Sequence, residues 1–277
     1  TATSYSVTVN PLPTPTITGT SALCVGATNV VYSTQGGMTN YLWNVSSGGI
    51  VTSGGGTTDN SVTVTWNTAG AQSVSVNYSN ANGCTALSPA SYPVTVNALP
   101  NPTLSGPLTA CANSTGNSYT TQPGMSNYTW TVSSGGTITT GGTSTSNTAT
   151  VTWNTVGPQT ISVNYSQTNC PAASPVVYPV TVNARPVPTV TGPGNLCVGT
   201  TNNVYTTEPG MTNYTWVVSA GGTITSGGSS TSNTVTVTWT TAGSKTVTVN
   251  YTNSAGCNAL TATSYSVTVN PLPTPTI

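Results

Sequence analysis

Valine, isoleucine, tyrosine and tryptophan fall on alternate positions along much of the chain, with threonine, serine and asparagine between them. In SVTVTWN (61–67), Val62, Val64 and Trp66 share one face while Thr63 and Thr65 take the other. QSVSVNYS (72–79) aligns Val74, Val76 and Tyr78, and NYLWNV (40–45) aligns Tyr41, Trp43 and Val45. Period-two alternation of β-branched and aromatic residues predicts half-buried strands. NVVYST (29–34) and SYPVTVN (91–97) complete the set, and residues 46–60 read as a glycine-rich hairpin and loop. No window shows 3.6-residue periodicity. About seven short strands, with turn signals every 8–12 residues, predict an all-β fold, an antiparallel β-sandwich.

The same plan then recurs. Trp43, Trp130 and Trp216 are 87 and 86 residues apart, as are Trp66, Trp153 and Trp239. Residues 1–17, TATSYSVTVNPLPTPTI, reappear letter for letter as 261–277. A fixed period marks a tandem array, and the exact return of the opening reads as a window on a longer repetitive protein. The expected division is 1–13, the last strand (Tyr5–Asn10) and linker of a preceding repeat; 14–99, 100–185 and 186–270, three sandwich repeats; and 271–277, a linker to the next. Proline-rich joints such as NALPNPT (97–103) favour extended, semi-rigid geometry.

Charge narrows the function. Only Asp59, Arg185, Glu208 and Lys245 are charged, and there is no histidine; ordinary domains carry about 25% charged residues. Nucleic acid and anionic membrane partners need clustered Lys or Arg, so both are excluded. No apolar run is long enough for membrane insertion, and no signal-peptide pattern is present, so a mature internal segment is expected. Two carboxylates in different repeats make neither a catalytic pair nor a calcium site. Their counterparts are neutral: Ser146 and Ser232 for Asp59, Gln35 and Gln122 for Glu208. Both acids therefore read as solvated surface substitutions. No triad can be built without histidine. The expectation is a protein without enzymatic activity, cofactor or metal.

Six cysteines at repeating positions, without a CxxC spacing, read as disulfides and imply an extracellular or cell-surface location. Two schemes respect the repeat. One pairs within repeats: Cys24–Cys84, Cys111–Cys170 and Cys197–Cys257. The other staples neighbours, Cys84–Cys111 and Cys170–Cys197. The first is favoured because it closes each domain on itself. Trp43, Trp130 and Trp216 read as core. Trp66, Trp153 and Trp239 sit at strand ends, where exposure is more plausible. Together with Tyr41, Tyr128 and Tyr214 they are candidate sugar-stacking platforms, although core or edge packing is the simpler reading.

The order Cys…Y(S/T)T…G-M-(T/S)-N-Y-x-W…S-x-G-G…V-T-W…V-x-V-N-Y…C is carried in the first copy by Cys24, Tyr32, Tyr41, Trp43, Gly48, Gly49, Trp66, Tyr78 and Cys84. It resembles the PKD-like, immunoglobulin-like repeats of very large Bacteroidota surface proteins, some of them gliding and attachment adhesins. The resemblance covers the whole chain three times over. It implies a β-sandwich, an extracellular place and a spacer or adhesive role. The expected function is a structural stalk segment of a giant adhesin or filament, with a carbohydrate-binding array as the alternative. Its partners would be neighbouring repeats, laterally associated chains or a surface polysaccharide.

Overall fold

The computed structural model describes residues 2–275. Thr1, Thr276 and Ile277, parts of the expected terminal segments 1–13 and 271–277, lie outside the described residues. Repeat 1 comprises β1 (Ala22–Cys24), β2 (Ala27–Ser33), β3 (Thr39–Val45), β4 (Gly49–Gly54), β5 (Ser61–Trp66), β6 (Gly70–Ser79) and β7 (Ala90–Asn97). Side-chain alternation decides how they pack. In β5 every second residue, Val62, Val64 and Trp66, is buried, while Thr63 and Thr65 are only partly so. One sheet has the order β1-β7-β6-β3 and faces a second of order β2-β5-β4. Pairing is antiparallel except between β1 and β7, which run parallel in the register Ala22↔Thr95, Leu23↔Val96, Cys24↔Asn97.

Repeat 2 repeats this plan with β8 (Thr109–Cys111), β9 (Ser114–Thr120), β10 (Ser126–Val132), β11 (Gly136–Gly141), β12 (Thr148–Trp153), β13 (Gly157–Gln167), β14 (Cys170–Pro171) and β15 (Val176–Asn183). Repeat 3 follows with β16 (Asn195–Cys197), β17 (Asn203–Thr206), β18 (Thr212–Val218), β19 (Gly222–Gly227), β20 (Thr234–Trp239), β21 (Gly243–Thr252) and β22 (Thr263–Asn270). β4 and its counterparts occupy the stretch read as hairpin and loop. The segment expected as a strand, Tyr5–Asn10, forms no ladder, and Tyr5, Val7 and Val9 are exposed. Its sister sequence in β22 is held between β16 and β21, and no such pair flanks residues 5–10.

Tryptophan placement reverses the order of depth that position along the strand suggested. Trp66, Trp153 and Trp239 are fully buried, deeper than Trp43, Trp130 and Trp216. Each indole N–H donates to a tyrosine hydroxyl, Trp66 to Tyr32, Trp153 to Tyr119 and Trp239 to Tyr205, at 3.0–3.2 Å. The hydroxyl passes the bond on to a backbone carbonyl, of Thr20, Pro107 or Pro193. A buried indole N–H needs such a partner. The close approach of Gly49 seals the ring from above; a Cβ there would fall 2.8 Å from Trp66 Cζ3.

Tyr41, Tyr128 and Tyr214 are buried too, donating to the carbonyls of Gln35, Gln122 and Glu208 at 2.6–2.7 Å. None of these six rings offers a face to a sugar. The N-Y-x-W motif has a local cause as well. Asn40, Asn127 and Asn213 adopt left-handed backbone (φ 53–54°) at a bulge opening the strand, a conformation asparagine tolerates best after glycine.

Candidate functional site

The cysteines are placed by the strands that carry them. β1 ends at Cys24 opposite Asn97, where the chain leaves the repeat. β6 begins at Gly70, level with Val96, and runs to Ser79, which bridges to Thr85 beside Cys84. Ten residues of strand at about 3.3 Å each put Cys24 and Cys84 roughly 30 Å apart, at opposite ends of one sandwich. A disulfide needs Cα atoms within about 7 Å, so pairing inside a repeat is sterically closed. Stapling Cys84 to Cys111 would have to span two sandwiches.

The structure instead joins Cys24 to Cys170 and Cys111 to Cys257, with Cα–Cα distances of 5.6 and 5.7 Å and a sequence separation of 146 in each case. The first cysteine of one repeat sits at its trailing end and meets the second cysteine at the leading end of the next. Both expected schemes are therefore wrong. Cys84 and Cys197, expected in disulfides, are free; their counterparts in the other repeats are the bonded ones.

Each bridge runs beside a proline joint, so the two junctions among the three repeats have two covalent links each. The joint is fastened to the repeat that follows it. Gln35 donates to Thr16 Oγ1 at 2.8 Å, and its Oε1 accepts from Thr16 N, Thr34 Oγ1 and Tyr78 Oη. Asn80 Nδ2 donates to the Pro11 carbonyl, and Asn253 Nδ2 to that of Ala184. Gln122 holds Thr103 and Asn101 in the same way.

In repeat 3 that staple is Glu208, which is not the solvated surface group expected. Its carboxylate accepts from Thr189 N and Oγ1, Thr207 Oγ1 and Tyr251 Oη. Partial burial pushes its pKa up, but the hydrogen bonds from Thr189 and Thr207 outweigh this and hold it at about 2. Burial, the hydrogen bond to Glu208 and that group's charge push Tyr251 up to about 12.

Arg185 was legible only as one of four charges. It stands in the joint between repeats 2 and 3, where the other joints have Leu12, Leu99 and Leu272. Its Nε donates to the Ala112 carbonyl at 2.6 Å, and Nη1 to the Asn258 carbonyl at 2.8 Å and Oδ1 at 3.2 Å. Ala112 and Asn258 adjoin the bonded Cys111 and Cys257, so one guanidinium ties both sides of that junction. Charge-assisted bonds to backbone oxygens suit its rigid fork. Asp59 accepts from Gly56 N, closing its own turn rather than standing free in solvent. Among the described residues no cluster of His, Cys, Asp or Glu could hold a metal ion.

No curated protein matches the chain. Among solved structures, domains 4–9 of surface layer protein SbsC are 14% identical over 90% of this chain and 43% of that one, with a TM-score of 0.25. Invasin, a bacterial integrin-binding protein, is 15% identical over 94% and 60%, with a TM-score of 0.32. The ICAM-5 D1–D4 ectodomain fragment is 14% identical over 95% and 78%, at 0.37. The chain thus spans 43% and 60% of the first two structures it resembles. The sequence profile of the PKD-like domain matches residues 10–94, 97–181 and 183–267. Each matched span opens in or at the edge of the joint that its repeat holds, and together they take in most of the chain, which belongs to the PKD-like domain family.

Proposed function

We propose that this chain is a non-enzymatic structural segment of an extracellular stalk or surface filament, part of a very large adhesin of the gliding or attachment kind. The observation that carries the reading is the pair of bridges Cys24–Cys170 and Cys111–Cys257, which clamp repeat to repeat and leave no bridge inside a repeat. Domains that need only to fold are closed on themselves; domains that must hold direction are joined to their neighbours. Disulfides persist in oxidising settings, which supports an extracellular place. PKD-like membership supports the spacer role. With net charge zero and four charged residues, little repulsion opposes lateral contact between chains, and salt has little to screen. Lateral association into a fibre and contact with surface polysaccharide are the partners this surface leaves open.

Small-angle X-ray scattering of the oxidised chain, beside the Cys24→Ser/Cys111→Ser variant, tests the stalk. A rod advancing about 40 Å per repeat, from strand length plus a short joint, is expected for the oxidised chain. Its variant should sample bent forms with a smaller radius of gyration. Equal scattering from the two, at low and high salt alike, would remove the bridges from the mechanics and the reading with them.

A further inference from the structure

We infer that this chain docks side by side with a second copy of itself, edge strand against edge strand: β4, β11 and β19 of one copy pair antiparallel with the same set on the other. The β2-β5-β4 sheet and its counterparts then continue across the contact. The inference deepens the stalk reading, on which it rests for a lateral partner, and gives that partner a surface.

A two-sheet sandwich has four outer strands, and each shows a row of unpaired backbone N–H and C=O groups unless something covers it. In repeat 1 three of the four are short or covered. β1 has only three residues. β2 is bridged by the incoming chain, Thr18 and Ser33 exchanging two backbone bonds of 2.9 and 3.0 Å. β3 is overlaid by the β4–β5 loop, whose Thr57 carbonyl accepts from Tyr41 N at 3.0 Å. The other repeats cover the same edges, through Ser105–Thr120 and Thr191–Thr206, and through Tyr128 N to Ser144 and Tyr214 N to Ser230. β4, β11 and β19 differ. Each ends its sheet with one edge on β5, β12 or β20 and the other on no strand.

The ladder fixes which groups face outward. Asn67 N donates to the Gly48 carbonyl at 2.9 Å, which makes Gly49–Trp66 a non-hydrogen-bonded pair. The polar backbone groups of Ile50 therefore turn toward β5, and those of Val51 away from it. Asn154 to Gly135 and Thr240 to Gly221 set the same phase, so Ile138 and Ile224 hold the outward groups of β11 and β19. Among the described residues no backbone bond from outside the ladder reaches these three. Natural edges are guarded by charge, proline or a bulge. These strands carry neither charge nor proline. Their one guard is a bulge just after Val51, Ile138 and Ile224, and it leaves the first three residues of each strand in regular register. Ile50, Val51 and Ile224 also expose apolar side chains there.

A row of free amides and carbonyls asks for a strand, and the repetition says whose. Each outward segment centres on the donor and acceptor of a single residue, so one edge alone holds weakly. A partner with three such edges at the same spacing gains all of them, because the second and third contacts become intramolecular. Gly49, Gly136 and Gly222 open the three strands 87 and 86 residues apart, and a second copy of this chain carries that spacing by construction. Identical edges meet about a two-fold axis, which sets the strands antiparallel and the contact isologous. Two shafts running in opposite senses then bring Ile138 against the second copy's Ile138, and Val51 against its Ile224.

The test is sedimentation velocity of the oxidised full chain over a concentration series, with hydrogen exchange read at the edge amides. A monomer–dimer equilibrium is expected, in which the amides of Val51, Ile138 and Ile224 exchange more slowly as concentration rises. Val51→Pro/Ile138→Pro/Ile224→Pro removes only outward donors, which an edge strand tolerates, and should lower the association constant by at least about tenfold. Ile50→Lys/Thr137→Lys/Thr223→Lys alters exposed side chains, keeps the donors and sets like charges across the contact. It should bring the same loss at low salt and recover at high salt, which a misfolded variant would not do. Association undiminished in either variant overturns the inference, because the contact then lies on another face. A chain that stays monomeric at every concentration overturns it too. The monomer boundary of the same runs reports separately on the stalk reading: a rod whose friction falls on reduction keeps it, and one that ignores reductant removes it.

Discussion

Pulling a single chain by its ends in a force spectrometer turns the disulfide pattern into a length. Without bridges, 277 residues at about 3.4 Å each reach roughly 940 Å. With both bridges the shortest covalent route enters at the N-terminus, crosses from Cys24 to Cys170, returns to Cys111, crosses to Cys257 and leaves. That route is about 100 residues long, so extension halts near roughly 350 Å.

The two loops overlap, and the consequence is strongly non-additive. Cys24→Ser or Cys111→Ser alone frees only about 28 residues, near 95 Å; both together free about 174, near 590 Å. Cys84→Ser changes nothing, because Cys84 is unpaired. Bridges closed inside repeats would behave otherwise. Cys84→Ser would then lengthen the tether by about 60 residues, and single losses would sum to the double. Either result would refute the reasoning.

Three further outcomes follow from particular side chains. Glu208 has its pKa lowered in the fold, so its contribution is present above the ordinary carboxylate value and is lost as pH falls from about 4.5 toward 2. Melting of the chain by differential scanning calorimetry should weaken across that window with a slope of at most about 1.4 kcal/mol per pH unit, and Glu208→Gln, which restores the residue type of the other repeats, should abolish the slope. Trp153→Phe keeps an aromatic ring, though a smaller one, but leaves the Tyr119 hydroxyl without its indole donor, at a cost of about 1–3 kcal/mol in chemical denaturation; Trp153→Ala should cost about 3–5 kcal/mol. Arg185→Leu recreates the residue of the other joints and should leave the melting of each sandwich unchanged. It should raise amide exchange around Ala112 and Asn258 by about five- to a hundredfold, in keeping with the loss of about 1–3 kcal/mol of bonding at that junction alone.

The strands were legible because burial on one face imposes alternation, and Val62, Val64 and Trp66 show it without interruption. Followed to its end, the same alternation already placed Trp66 inside; position near a turn was the weaker signal. β1 was hidden because three residues display no period and their partner, β7, lies some seventy residues away. The misread bridges stem from that one omission. Cys24 sits at the trailing end of its repeat only because β1 runs parallel to the last strand, and parallel pairing over such a distance leaves no local mark. Glu208 and Gln35 differ in charge yet share a geometry of acceptance, so comparing the copies by charge concealed the polar staple that comparing them by shape would have shown. Arg185 reaches across a junction whose existence had first to be known.

The span from Cys24 to Cys170 overlaps the span from Cys111 to Cys257. Break any one peptide bond between Cys24 and Cys257, and the two pieces are still tied by at least one bridge; break it between Cys111 and Cys170, and two bridges hold. A protease that nicks the shaft once has not shortened it. For a thread exposed to whatever enzymes its surroundings contain, that is the difference between a string, lost at its first cut, and a two-ply yarn, in which each ply carries the load past the other's flaw.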